Sequence, residues 1–404
     1  MTETEKAATG VTVCEAENAS ACGAKRRAVL TTDKLSVGYR GKAVIDGVTV
    51  EALPGRIMTL IGPNGAGKST IIKTLIRQLV PVDGTVTLLG RDMDSMTDRE
   101  IARNVSAVLT TRPRPELMTC ADVVATGRYP YTGRLGILSE HDREIAARAM
   151  EAVQVTELRD RDFNRISDGQ RQRVMLARAI CQEPKLLIMD EPTSFLDIRH
   201  KLDFLHLLRR LVRETGLAVL LSLHELDLAQ RFSDIVICVR EGRIDRIGPP
   251  EQVFSGDYVS RLYGVEQGCY DPLYGSVEAG VLAGAPQVFV LGGGGYGIPL
   301  YRMLRRMGVP FAAGVFPESD LDVPAARSMA AEVFTVPAFM PVDSAAVTAA
   351  LETAERCRAL VCPLTHFGEQ NRACMRILNA AEEKGILTPQ EKLEELLVSW
   401  KRLS

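Results

Sequence analysis

The segment Gly62-Pro63-Asn64-Gly65-Ala66-Gly67-Lys68-Ser69 narrows the choice of fold more than any other part of this chain. An apolar run, Ile57 to Ile61, reads as a buried strand before it, and a helical pattern runs from Ser69 to about Leu79 after it. A Gly-x-x-x-x-Gly-Lys-Ser loop in that context wraps backbone N–H groups around phosphates, and the helix start adds a favourable dipole. Residues Gly62 to Thr70 are therefore a candidate triphosphate cradle, with Lys68 reaching the β- and γ-phosphates and Ser69 holding Mg²⁺.

A second apolar strand, Leu186 to Met189, ends in two carboxylates. Asp190 suits Mg²⁺, a hard cation that prefers oxygen ligands, and Glu191 is placed to polarise an attacking water. Paired with the glycine loop, these carboxylates predict in-line attack of water on a γ-phosphate. Such catalysis works by positioning and charge stabilisation rather than through a covalent intermediate.

Four further segments resemble the ABC ATPase family. Ile166-Ser167-Asp168-Gly169-Gln170 resembles its Leu-Ser-Gly-Gly-Gln signature, and Ser194-Phe195-Leu196-Asp197 resembles its D-loop. His224 resembles its switch histidine, and Tyr39 stands where the family places an aromatic ring against adenine. The resemblance covers roughly residues 30–268 and implies an ATP hydrolase using Mg²⁺, with Lys68, Glu191 and His224 in catalytic roles. It also implies that ATP is sandwiched between two such domains, so that Ser167 and Gly169 complete the site across the seam, with Gln170 and Asp197 as further nucleotide-binding residues. One such loop occurs in the chain, so a second ATPase subunit is required, most simply another copy.

The chain departs from the family at three places. No glutamine occurs between Asn104 and Val124, where the family places one near Mg²⁺; Thr110-Thr111 stand there instead, and Thr111 offers a hydroxyl to the metal. Asp168 replaces a signature glycine and brings negative charge near the phosphates, and Phe195 is bulkier than the D-loop norm. Lys68, Ser69, Asp190 and Glu191 are all intact, so an active ATPase is expected.

The stretch Arg114 to Thr119, followed by Val123 to Pro130, is similar to ATPases of iron–siderophore, haem and cobalamin importers. That similarity implies integral-membrane permease subunits as partners, an extracytoplasmic substrate-binding protein, and a place in the cytoplasm on the inner face of the membrane. The chain has no membrane span of its own; Ala279 to Gly295 comes nearest and is broken by Pro286 and a glycine run. The alternative is a soluble ABC ATPase acting on nucleic acid, ribosomes or cluster assembly. A net charge of −2 argues against a broad nucleic-acid footprint, and no second ATPase domain or basic extension is visible. Nine scattered cysteines without a Cys-x-x-Cys pair suit a reducing compartment.

The expected fold class is α/β: a P-loop NTPase of ABC type with a mixed sheet core, an antiparallel β subdomain and a helical subdomain, then a small Rossmann-like parallel α/β domain. Residues 1–28 read as a disordered tail, 29–268 as the ATPase domain, 269–285 as a linker and 286–404 as the second domain. In the last of these, Gly292, Gly294 and Gly297 fit a Gly-x-Gly-x-x-Gly pattern between strand and helix, and Glu318, Asp320 and Asp322 lie where a ribose partner is expected. A small ligand, with the domain as a regulatory sensor, is one reading; glycines serving strand–helix packing is the other. Cys357, Cys362, His366 and Cys374 match no usual zinc spacing, and the three cysteines read as buried thiols.

Overall fold

The computed structural model describes residues 27–110, 115–133, 136–265, 268–271, 275–278 and 280–403. Nearly all of the expected tail, and Thr111 with the start of the importer-like stretch, lie outside these residues. The chain divides into two compact units, Met1–Tyr258 and Val259–Ser404.

In the first unit, eleven strands form one sheet. They are β1 (Leu30–Tyr39), β2 (Lys42–Val48), β3 (Glu51–Ala52), β4 (Ile57–Ile61), β5 (Asp83–Leu88), β6 (Arg91–Asp92), β7 (Val105–Val108), β8 (Leu186–Met189), β9 (Ala218–Ser222), β10 (Ile235–Arg240) and β11 (Arg243–Gly248). Their order is β6-β5-β1-β2-β11-β10-β4-β9-β8-β7, with β3 beside β1. Strands β10, β4, β9, β8 and β7 run parallel, and their residues are buried almost without interruption, as a sheet covered on both faces requires. The β1, β2, β5 and β6 wing is antiparallel.

Register places the functional segments together. Leu60 pairs with Ser222, Met189 with Leu221, and Val108 with Met189. The strands therefore end at one level, and everything after their carboxyl ends opens onto one edge, where ligands of open α/β sheets bind.

Three helices, Cys120–Ala125, Glu140–Ala152 and Asp168–Cys181, pack as a separate layer. Arg128, in the importer-like Gly-Arg-Tyr-Pro stretch, belongs to its interior. Its side chain is buried, donating to Asp142 at 2.9 Å, Glu183 at 2.8 Å and the Cys181 carbonyl at 2.9 Å. Tyr131 lies beneath it with the ring centroid 3.9 Å away. Tyr129, next in sequence, faces solvent.

In the second unit, the expected linker is structured and is corrected here. Strands β12 (Cys269–Asp271) and β13 (Ser276–Glu278) form an antiparallel hairpin. Tyr270 and Glu278 are buried, and Glu278 accepts from Arg302, so the weakly patterned sequence is held by one aromatic ring and one ion pair. Beyond it β14 (Val288–Leu291), β15 (Phe311–Pro317), β16 (Glu332–Val336) and β17 (Ala359–Val361) form a parallel sheet in the order β16-β15-β14-β17. Alternation sorts β14 between two cores. Val288 and Val290 join Leu304, Leu393 and Leu397 on one face, while Phe289 and Leu291 join Val347, Ala350 and Ile377 on the other.

Candidate active site

Strand β4 runs directly into the glycine loop, and a helix, Lys68–Leu75, begins after Gly67. Gly67 has φ 101°, a left-handed conformation that favours glycine, and a Cβ there would meet Ile45 at 2.5 Å. A Cβ on Gly62 would strike the Val239 carbonyl of β10. These two glycines let the loop fold flat against the sheet end. The amides of Gly65, Gly67, Lys68 and Ser69 find no acceptor among the described residues, as the first turn of a helix dictates, and so remain free for an anion.

Lys68 is buried, and its ammonium donates to the carbonyls of Gly62 at 2.6 Å and Pro63 at 2.9 Å. Burial pulls its pKa below the usual lysine value, and the carboxylates of Glu191 and Asp190 work against that pull. A buried cation in a ring of unpaired amides is a receptor for a polyanion.

Asp190 is held by two hydroxyls: Ser69 Oγ donates to its Oδ1 at 3.2 Å and Ser222 Oγ at 2.7 Å. Ser222 also accepts the Glu191 amide at 2.9 Å, so this buried serine at the end of β9 holds the Asp190 carboxylate and the Glu191 backbone together. Thr110 Oγ1 donates to the Asp190 carbonyl at 3.1 Å. The Ser69–Asp190 pair supplies the oxygen donors that Mg²⁺ takes.

Glu191 has φ 49°, a left-handed conformation for a residue with a Cβ, which costs roughly 1–3 kcal/mol and is found where function needs it. Its Oε1 lies 2.5 Å from His224 Nε2, and its Oε2 accepts from Ser194 Oγ at 3.1 Å. It opens on a cleft lined also by Thr110, Arg171, Gln172 and Ser194, where a water can approach it.

The other expected site residues lie apart from this cluster. Tyr39, at the end of β1, faces solvent. Ser167 caps the helix Asp168–Cys181 in a box with Gln170, each side chain bonding the other's amide at 3.3 and 3.1 Å. A Cβ on Gly169 would meet the half-exposed His200 ring at 2.8 Å, which would have to swing aside to admit it. Asp197 caps the helix Ile198–Thr215 and accepts from His200 N at 2.8 Å. None of these four bonds to the glycine loop among the described residues. Asp168 is paired with Arg171 at 2.7 Å, which offsets the negative charge expected beside the phosphates.

The glycine loop of the second unit is built differently, and the expected ribose partners are corrected. Asp320 accepts the Gly294 amide at 2.9 Å, and Asp322, fully buried, accepts the Gly297 amide at 3.1 Å. A Cβ on Gly292 would meet Asp322 Oδ2 and the Tyr301 hydroxyl, each at 2.8 Å. The slot a phosphate would take holds the chain's own carboxylate, and Glu318 is turned to Arg327 at 2.8 Å.

Comparison with known proteins follows this geometry. A family described as ABC transporter matches residues 45–194, and a second, the MJ0874 family, matches residues 311–396. An ABC transporter ATP-binding protein of Methanocaldococcus jannaschii, MJ0873, is 41% identical over 282 residues, which are 69% of this chain and 96% of that one. The chain belongs to the ATP-binding proteins of ABC transporters. It hydrolyses ATP with Mg²⁺. Other ABC relatives include the iron(3+)-hydroxamate import protein FhuC of Bacillus subtilis, 35% identical over 59% of this chain and 88% of its own length. The cobalamin import protein BtuD of Halobacterium salinarum is 31% identical over 323 residues, 78% of this chain and 81% of that one. Among solved structures, the ADP-bound cassette MJ1267 has a TM-score of 0.54 at 25% identity, over 59% of this chain and all of its own. No helix among the described residues of this ABC subunit is long and apolar enough to cross a membrane.

Proposed function

We propose that this ATP-binding subunit powers a membrane importer and that its cargo is a corrinoid such as cobalamin, with ferric siderophores and haem as the competing cargoes. One observation supports corrinoid above the others. The 323-residue match to the cobalamin import protein exceeds the 258 residues of the first unit, so it extends into the second. The match to the hydroxamate importer spans 237 residues and needs the first unit alone. Import relatives also favour transport over action on nucleic acid.

In this reading, the amides of residues 65–69 and Lys68 bind the β- and γ-phosphates, and Ser69 and Asp190 hold Mg²⁺, which offsets charge on the phosphate oxygens. Glu191 orients and deprotonates the attacking water, while His224 keeps its carboxylate aimed and contacts the γ-phosphate. Tyr39 stacks on adenine. Ser167, Gly169, Gln170 and Asp197, set away from their own glycine loop, serve a second copy, and the Thr111 hydroxyl is a further candidate donor to the metal. The subunit then sits at the cytoplasmic face against a permease, with an extracytoplasmic binding protein supplying cargo.

Vesicles carrying the full-length chain and its permease test this. ATP-dependent uptake of cobalamin, with ferric siderophore and haem left outside, is the expected result. Uptake of either rival alone overturns the cargo, and stable co-purification with ribosomes or DNA in place of any permease overturns transport.

A further inference from the structure

Two arms converge on Glu191. One is the turn after β8, from which Ser194 Oγ reaches Oε2 at 3.1 Å; the other follows β9, from which His224 Nε2 reaches Oε1 at 2.5 Å. The residue beside each contact joins the arms. Thr193, buried and adjacent to Ser194, donates its Oγ1 to Glu225 Oε2 at 3.1 Å, and Glu225 is adjacent to His224. Lys201, on the first turn of the helix Ile198–Thr215, closes on the other Glu225 oxygen at 2.5 Å.

We infer that Glu225, Thr193 and Lys201 form a positioning brace that fixes the spacing between the Ser194 and His224 arms and so the direction of the Glu191 carboxylate. The inference rests on the proposed role of Glu191. Its physical basis is that each Glu225 oxygen has its own partner on a separate segment. Removing the carboxylate releases both arms at once, while the phosphate cradle, built on residues 62–70, is untouched. The Lys201 and Glu225 side chains are only 22% and 30% exposed, so solvent replaces neither partner fully. Lys201 also lies four residues after Asp197, so the brace links Glu191 to the segment expected to face a second subunit.

The test uses the full-length chain with Mg²⁺ and ATP, reading phosphate release, nucleotide affinity and melting temperature. Glu225→Gln and Lys201→Met are each expected to lower kcat about tenfold, leaving KM and ATP affinity as they were. The double variant is expected to be no worse than either single one, because both act through one contact. If Glu225→Gln melts early, Glu225→Asp, which keeps the charge and shortens the reach, is expected to show the same split. Multiplying losses in the double variant, a raised KM at unchanged kcat, or full turnover in both singles overturns the brace. Glu191→Gln run in parallel separates the two ideas: turnover near wild type there defeats the role of Glu191 itself.

Discussion

His224 Nε2 lies 2.5 Å from Glu191 Oε1, and Ser194 Oγ occupies the other oxygen at 3.1 Å, so the Glu191 carboxylate is pinned at both ends beside the cleft that admits water. The left-handed backbone at Glu191 turns the side chain out from the strand end toward these partners.

Replacing that carboxylate removes the base and keeps the cradle. Glu191→Gln is expected to lower turnover by at least ~100-fold, the usual yield of a positioned acid–base group, with ATP still bound. Phosphate release and equilibrium nucleotide binding, measured on the same preparation, check both halves.

Lys68→Met acts the other way round, on binding. The lost charge-assisted contacts are worth about 1.5–3 kcal/mol, so ATP affinity is expected to fall roughly 10- to 100-fold. The apo protein carries a sign of its own. Burial lowers the folded lysine pKa below 10.5, so as pH rises from that lowered value toward 10.5 the folded state loses its proton first and stability grows. Wild type minus Lys68→Met, followed by denaturant titration at alkaline pH, isolates that rise.

Two buried thiols carry the opposite slope. Burial pushes Cys181 and Cys238 up to about 12 from an ordinary value of 9.0. Their contribution is complete below pH 9.0 and is lost as pH climbs toward 12, because the unfolded chain ionises first. Cys181→Ala and Cys238→Ala are each expected to flatten the fall in stability across that window.

Arg128→Met leaves Asp142 without its ion-pair partner inside the helical layer and frees the Cys181 carbonyl. Breaking such a pair from one side costs about 3–5 kcal/mol, read by denaturant unfolding. A much smaller loss, with permease binding abolished instead, would assign Arg128 to the docking face.

Gly169→Ala separates packing from catalysis. The added methyl displaces the exposed His200 ring while alanine favours the helix by about 1 kcal/mol, so stability, read by denaturant unfolding, is expected to change little. With His200→Ala added to clear the ring, turnover is expected to stay low, as the role proposed for Gly169 across a seam requires.

Much of this was legible beforehand where one kind of signal was strong. Strands β4 and β8 fall on the residues expected of them, because short apolar runs bounded by polar residues leave little room for error. The loop of residues 62–69 was legible because its glycines, lysine and serine have a fixed order. Ser222 was not: a serine closing an apolar strand carries no pattern, and only the register of β9 against β8 brings it to the Asp190 carboxylate and the Glu191 amide. Glu225 and Lys201 were hidden likewise, 24 residues apart and joined by folding alone. The hairpin of β12 and β13 was missed since contacts that hold it, Ser260 to the Tyr270 amide and Arg302 to Glu278, come from outside the segment. The glycine pattern at 292–297 lies between a strand and a helix as expected, but the pattern is silent about what meets its amides.

Asp322 makes the second glycine loop its own tenant. A carboxylate tethered there competes with any external anion at an effective concentration set by the fold, far above that of a free metabolite. A visiting phosphate would have to evict a group that cannot diffuse away. In such a domain the glycines alone do not indicate a dinucleotide site, because an acid 25 residues after Gly297 already answers its amide.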